Sequence, residues 1–251
     1  MNEQKDLDAC IQEKGIKALI FDLDGVITQT AGVHARAWKR MFDDYLRERG
    51  EQEGKTYEPL DIATDYRQHI DGIPRYDGVR NFLASRGISL PEGSADDAPG
   101  DETVIGLGNL KNEYFQEMVQ EGGVEVYNDT VTWIKEQRRK GLRTAVISAS
   151  KNCKTILEAA GLEELFETRV DGVLAAELGL KGKPAPDVFH EAARRLKVKP
   201  VESAIFEDAI AGVQAGKAGD FALVVGVNRN ASAEALKENG ADLVLSQFPD
   251  K

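Results

Sequence analysis

The sequence predicts an α/β fold: a doubly wound parallel sheet with an inserted α-helical unit. Three observations carry that prediction. Short aliphatic and β-branched runs recur along the 251-residue chain. Helical patterns with short connections separate most of them, which implies right-handed crossovers. One long stretch after the first run keeps helical spacing and contains no strand pattern.

The first run is Lys17–Phe21, and the next is Thr144–Ser148. Ser203–Phe206, Ala222–Val227 and Asp242–Leu245 complete the set. Runs without polar alternation read as strands buried on both faces. The intervening helices are expected at Thr130–Lys140, Lys151–Ala160, Asp187–Leu196, Ala209–Ala218 and Ala231–Asn239. Gly141, Gly161, Gly219 and Gly240 stand just past helix ends, where a left-handed residue commonly closes a helix. The interrupting stretch begins near Ala31 and ends near Glu117. Within it Val33, Ala37, Trp38, Met41, Phe42, Tyr45 and Leu46 recur at helical spacing, with Arg36, Arg40, Asp43 and Arg47 between them. Pro91 to Asp101 is an acidic loop rich in glycine and proline. The predicted division is therefore a core of residues 1–30 and 118–251, with a helical insert at 31–117.

Composition narrows the function. The 32 basic and 43 acidic side chains give a formal charge of −11. Nucleic-acid binders show the opposite bias, and an anionic membrane surface would repel this chain. Any phosphate site must be local, built from a few placed cations and backbone amides. No apolar run reaches the roughly 18–20 residues of a membrane span. The polar segment Met1 to Gly15 lacks the pattern of a secretion signal, so a cytoplasmic location is expected. Cys10 and Cys153 are expected to be ordinary reduced thiols.

The chemistry concentrates at the ends of predicted strands, where α/β sheets bind ligands. Asp22 and Asp24 follow the first strand, in Phe21-Asp-Leu-Asp-Gly25. Residues two apart there project to one side. Two such carboxylates repel unless a cation or a shared proton intervenes. Asp-Gly is also a common turn dipeptide, which accounts for Asp24 but not for Asp22. A second acidic pair, Glu207 and Asp208, follows another strand. These residues either favour the dipole of the next helix or, with the first pair, make an oxygen-rich site suited to magnesium. Ser148 ends the second strand ahead of Ala149-Ser-Lys-Asn152. It is either a helix N-cap or part of a phosphate cradle. Lys183 precedes a proline that holds it outside a helix, where its ammonium could neutralise a phosphoryl group. Lys181 reads as a solvated loop lysine.

In this order Asp22-Leu-Asp-Gly-Val26, Ser148, Lys183-Pro-Ala-Pro-Asp187 and Glu207-Asp208 resemble the haloacid dehalogenase superfamily. The resemblance spans nearly all of the chain beyond the first fifteen residues. Phe21–Thr28, Thr30, His34-Ala-Arg-Ala-Trp38 and Ser148–Asn152 are most similar to its β-phosphoglucomutase-like phosphatase and phosphomutase branch. Asp71–Arg75 and Lys111-Asn-Glu113 resemble the cap of that branch. Gln29 departs from the family, which commonly has Asp there. Glu48–Glu58 and Glu92–Glu102 lengthen the cap, a difference that bears on substrate.

The resemblance implies a Rossmann-like core with a helical cap and an aspartyl-phosphate mechanism. Asp22 would be the nucleophile and Asp24 the general acid and base. Magnesium would be held by Asp22, the backbone carbonyl of Asp24, Asp208 and, directly or one shell out, Glu207. Ser148 and Lys183 would complete the charge clamp. His34, Arg75, Lys111, Ala149, Ser150, Lys151 and Asn152 would bind a small phosphorylated sugar. A monomer is expected. Three activities stay open: a sugar-phosphate mutase, a phosphatase and a non-catalytic domain. The third predicts a missing catalytic group, and none is missing. Asp24 argues against dehalogenation, which usually lacks this second acid. His69 and His190 read as structural or solvated.

Overall fold

The computed structural model describes residues 3–229 and 232–249. These fall in two compact units, Met1–Gln29 with Val124–Lys251, and Thr30–Gly123. The first is built on six parallel strands: β1 (Ala18–Asp22), β2 (Arg143–Ile147), β3 (Thr168–Val170), β4 (Ser203–Glu207), β5 (Leu223–Val227) and β6 (Leu243–Leu245). Their order across the sheet is β3-β2-β1-β4-β5-β6. The order reverses beside β1, so its carboxyl end opens on the crevice where doubly wound sheets bind ligands.

The helices in chain order are α1 (Glu3–Glu13), α2 (Ala31–Glu53), α3 (Arg67–His69), α4 (Arg75–Ser85), α5 (Val104–Gly122), α6 (Asn128–Arg139), α7 (Cys153–Ala160), α8 (Gly172–Leu178), α9 (Asp187–Arg195), α10 (Ile210–Ala218) and α11 (Ala233–Glu238). The strands alternate faces. Ala18, Ile20, Ala145, Ile147 and Ile205 join Val188, Phe189, Ala192 and Ala193 of α9 in one core. Phe21 and Phe206 turn the other way and stack at 4.5 Å, with Trp133 of α6 edge-on to Phe21 at 6.4 Å. Both faces are covered, which is why these strands carry no polar alternation.

In the second unit Trp38, Met41, Phe42 and Leu46 of α2 share a core with Val79, Phe82, Leu83, Val104 and Leu107. The aromatic side chains stack, Trp38 on Phe42 at 5.3 Å. α5 runs on to Gly122, past the predicted end of the insert at 117, and the compact unit closes at Gly123. The acidic loop before α5 is held by Asp97, which accepts from Ser94 and Thr103, and by Arg80, which pairs with Glu92.

The structure departs from the sequence reading in four elements. β3 and α8 have no counterpart in it, because Thr168–Val170 is too short to stand out. α1 was not foreseen; Leu7 and Ile11 bury its apolar side, while Asp8 accepts from Gln137 at 3.1 Å. Gly219 is not a left-handed cap: its φ is −88°, and the left-handed residue is Asp220 at 55°. Gly219 stands there because a Cβ would come within 2.6 Å of the Phe221 ring. Gly141, Gly161 and Gly240 do take positive φ.

Candidate active site

Side-chain alternation assembles the site. Ala18, Ile20 and Asp22 point to one face of β1, and Ile205 and Glu207 continue that face on β4, where Ile20 is the register partner of Ile205. This is the face that α9 covers. Lys183 lies just before α9 and reaches back under it. Its ammonium donates to Asp22 Oδ1 at 2.6 Å and to Glu207 Oε1. All three side chains are buried. Burial alone would lower the Lys183 pKa, but the Asp22 and Glu207 carboxylates outweigh it and hold the lysine above its ordinary value. Burial pushes the Asp22 carboxyl up, Lys183 pulls it back, and Glu207 and Asp24 push it up again.

Asp208 joins this cluster from the turn after β4. Oxygens of Asp22, Glu207 and Asp208 all lie within 4.8 Å of one another. Three buried carboxylates beside one ammonium favour a further cation or a shared proton, as the raised Asp22 pKa reflects. The donors are all hard oxygens, the set that magnesium selects. Glu207 spends one oxygen on Lys183 and the other on the Ala209 N–H at 3.2 Å. The loop after β1 closes against Asp208. Gly25 has φ +89°, and a Cβ there would lie 1.9 Å from Asp208 Oδ2.

Gly25→Ala should therefore cost more than glycine's left-handed freedom. It should displace Asp208; a magnesium ion held by that carboxylate would then bind more weakly, and the concentration needed for half-activity should rise at least about tenfold, the scale of a disturbed ligand support. A magnesium titration of activity that overlays the wild type would contradict the contact.

Asp24 takes another direction. Its carboxylate accepts from Ser148 Oγ at 3.1 Å and is not among the three clustered carboxylates. Ser148 Oγ in turn accepts from the Ser150 N–H at 3.0 Å, and Ser150 Oγ accepts from the Asn152 N–H at 3.1 Å. Ser148 is thus not a helix N-cap, since α7 starts only at Cys153. It ties Asp24 to the 149–152 loop.

The insert gathers its own residues. Lys111 is buried and donates to His34 Nδ1 at 2.6 Å. His34 also stacks on Phe115 at 3.9 Å. Arg75, the first residue of α4, donates to Asn112 Oδ1 at 2.7 Å.

A profile of haloacid dehalogenase-like hydrolases matches residues 16–220. The chain belongs to the haloacid dehalogenase-like hydrolase family. This haloacid dehalogenase-like chain is 46% identical over 238 residues to a beta-phosphoglucomutase of Mycobacterium bovis, covering 94% of this chain and 91% of that one. It is 26% identical over 228 residues to a phosphorylated carbohydrates phosphatase of Thermotoga maritima, covering 90% and 92%. The crystal structure of beta-phosphoglucomutase from Clostridium difficile superposes with a TM-score of 0.70 at 25% identity, covering 92% and 91%. The chain is an enzyme of this family's phosphomutase and phosphatase group.

Some residues of this haloacid dehalogenase-like site were not singled out in the sequence. Asp171 is buried after β3, caps α8 through the Val173 and Leu174 N–H groups, and accepts from Arg169 at 2.6 Å. The next residue, Gly172, donates to Ser150 O at 3.1 Å and so braces the 149–152 loop. Asp171-Gly172 after β3 repeats the Asp24-Gly25 dipeptide of the loop after β1, and that was the available signal. Cys153 is buried at the start of α7, and burial pushes its thiol up rather than activating it. His190 accepts no catalytic role; it pairs with Gly219 O at 3.0 Å and stacks on Phe221. Among the described residues no helix is long and apolar enough to cross a membrane.

Proposed function

We propose that this enzyme transfers a phosphoryl group on a small phosphosugar through an aspartyl-phosphate on Asp22, converting β-glucose 1-phosphate to glucose 6-phosphate. The observation that carries the reading is the buried ammonium of Lys183 bridging Asp22 and Glu207 at the switch point of the sheet, with Asp208 beside them. Asp22 attacks phosphorus through a carboxylate oxygen as the bond from phosphorus to the leaving sugar oxygen breaks. Asp24 protonates that oxygen, then takes the proton of the hydroxyl that accepts the phosphoryl group next. Ser148 orients Asp24 for both steps. Lys183 holds positive charge where the phosphoryl oxygens gather negative charge, and phosphoryl transfer depends mainly on such placement. Asp22 and Asp208, with the Asp24 carbonyl, would hold magnesium, which would supply further positive charge to the transferring group. Glu207 fixes Lys183.

A mutase works through a bisphosphate and needs a second anion site, and Arg75 supports one. Its guanidinium is half-buried in an acidic chain, yet it is held by Asn112 and Tyr76 and makes no ion pair with a carboxylate among the described residues. His34 and Lys111 are further proposed substrate contacts of the insert, and Ser150, Lys151 and Asn152 are proposed phosphate contacts of the core unit in their own right. The likeness to a carbohydrate phosphatase supports one alternative, in which water accepts the phosphoryl group from Asp22.

Product analysis separates the two. With β-glucose 1-phosphate, magnesium and a catalytic amount of glucose 1,6-bisphosphate, glucose 6-phosphate should accumulate faster than inorganic phosphate. Omitting the primer should introduce a lag. Chelation should stop turnover, and magnesium should restore it. Release of inorganic phosphate alone would replace the mutase by the phosphatase, and full activity in excess chelator would remove the metal.

A further inference from the structure

The half-buried arginines of the insert are held by acids, with one exception. Arg49 pairs with Glu53 at 2.8 Å and Glu102 at 2.9 Å, and Arg86 pairs with Asp65. Even Asp77, two residues beyond Arg75, is engaged by Arg80. Arg75 makes no salt bridge among the described residues; its head is held by the Asn112 amide at 2.7 Å and also hydrogen-bonds to Tyr76. Burial presses its pKa down, Tyr76 offsets part of that by its charge and hydrogen bond, and no carboxylate contributes.

The rest of Arg75 is seated with equal care. A Cβ on Gly108 would lie 3.3 Å from Arg75 Cδ and 2.7 Å from the Tyr76 ring, so the backbone of α5 lies flush against both. Tyr76 donates its hydroxyl to Asn109 Oδ1 at 3.1 Å, and Asn109 donates to Asp97 O at 3.0 Å in the acidic loop. One stretch of α5 thus receives the arginine's stem, its neighbouring ring and its head.

We infer that Asn112 is a positioning residue for Arg75, and that its amide fixes the guanidinium without neutralising it, leaving the charge for the second phosphate of a sugar bisphosphate. The inference rests on the bisphosphate reading of Arg75 given above. An aspartate in that place would be isosteric, would keep the hydrogen bond and would strengthen it. It would also compete with the ligand's phosphate for the guanidinium N–H groups, which suit bidentate recognition of either anion. The neutral amide avoids that competition.

The test compares Asn112→Asp, Asn112→Ala, Arg75→Ala and the double variant Arg75→Ala/Asn112→Asp. The readouts are the glucose 1,6-bisphosphate concentration for half-activation of the isomerisation, and kcat and KM for p-nitrophenyl phosphate. Asn112→Asp should raise the half-activating concentration roughly tenfold to a hundredfold, the scale of one lost charge-assisted contact. Asn112→Ala should raise it less. A merely structural role predicts the reverse ranking, since aspartate preserves shape and alanine does not. The p-nitrophenyl phosphate constants should shift by a smaller factor than the bisphosphate constant. In the Arg75→Ala background Asn112→Asp should add nothing to the bisphosphate constant. If Arg75→Ala raises that constant and Asn112→Asp leaves it at the wild-type value, the role of Asn112 is overturned and the bisphosphate reading stands. If Arg75→Ala has no effect, both fall. Should Asn112→Asp fold poorly by its thermal midpoint, Asn112→Ser decides instead: a neutral partner with a hydroxyl acceptor should fall closer to wild type than Asn112→Ala, and equality with Asn112→Ala would overturn the inference.

Discussion

Asp22→Ala should abolish turnover, with kcat falling at least about 10⁴-fold, the scale seen when a catalytic nucleophile is removed from an otherwise intact site. The carboxylate oxygen that forms the bond to phosphorus is gone, and the neighbouring acids cannot replace it. Glu207 is committed to Lys183 and the Ala209 N–H. Asp24 is tied to Ser148, across a bond of 3.1 Å. The fold should survive, because burial, Glu207 and Asp24 make Asp22 an unfavourable charge against the pull of Lys183, and Lys183 keeps Glu207 as its partner. Removing it relieves repulsion, so the thermal midpoint should hold or rise, the usual trade of stability for activity at such sites. A second readout follows from the bond that Asp22 would form. Trifluoroberyllate with magnesium, a mimic of the transferred group, should bind the wild type and not Asp22→Ala in a calorimetric titration. More than a few per cent of residual kcat would remove Asp22 from its role.

Lys183→Met should damage both stability and turnover. The ammonium is buried between two carboxylates, and methionine fills its volume without its charge. Removing one side of a buried ion pair leaves the other side uncompensated, at a cost of about 3–5 kcal/mol. For a chain of this size that lowers the thermal midpoint by roughly 10 °C. The activity loss has a separate origin, the missing positive charge opposite the phosphoryl oxygens, on the order of 10²–10³ in kcat for one preorganised electrostatic donor. A double variant, Lys183→Met/Glu207→Gln, separates them. Neutralising Glu207 while keeping its shape should recover part of the stability and none of the activity. Recovery of both together would make Lys183 purely structural. A wild-type thermal midpoint in the single variant would show that the pair is not buried as described.

The sequence alone determined the sheet's class and the placing of acids at its strand ends. Buried runs such as Ala18–Phe21 and Ser203–Phe206 are legible because a strand covered on both faces must be apolar throughout. Asp22, Glu207 and Asp208 stand out because acids directly after such runs have no place in a core. Helix spacing likewise marked α2, whose Trp38, Met41 and Phe42 fill the interior of the insert.

Only the tertiary structure decided what these residues do to one another. Lys183 is 161 positions from Asp22, and no local pattern says that its ammonium lies between Asp22 and Glu207. That follows from α9 packing on the face where Asp22 and Glu207 project. The division of labour among the acids was equally hidden: Asp24 goes to Ser148, while Asp208 joins Asp22 under the cover of Gly25. β3 was missed because a three-residue strand gains its stability from pairing with β2, through Ala145–Thr168 to Ile147–Val170, and not from its own composition. The amide that holds Arg75 lies 37 positions away on α5. Propensity and periodicity act over a few residues, so they set elements and exposed chemistry; charge compensation acts through space, and only the packed chain determines which charges meet.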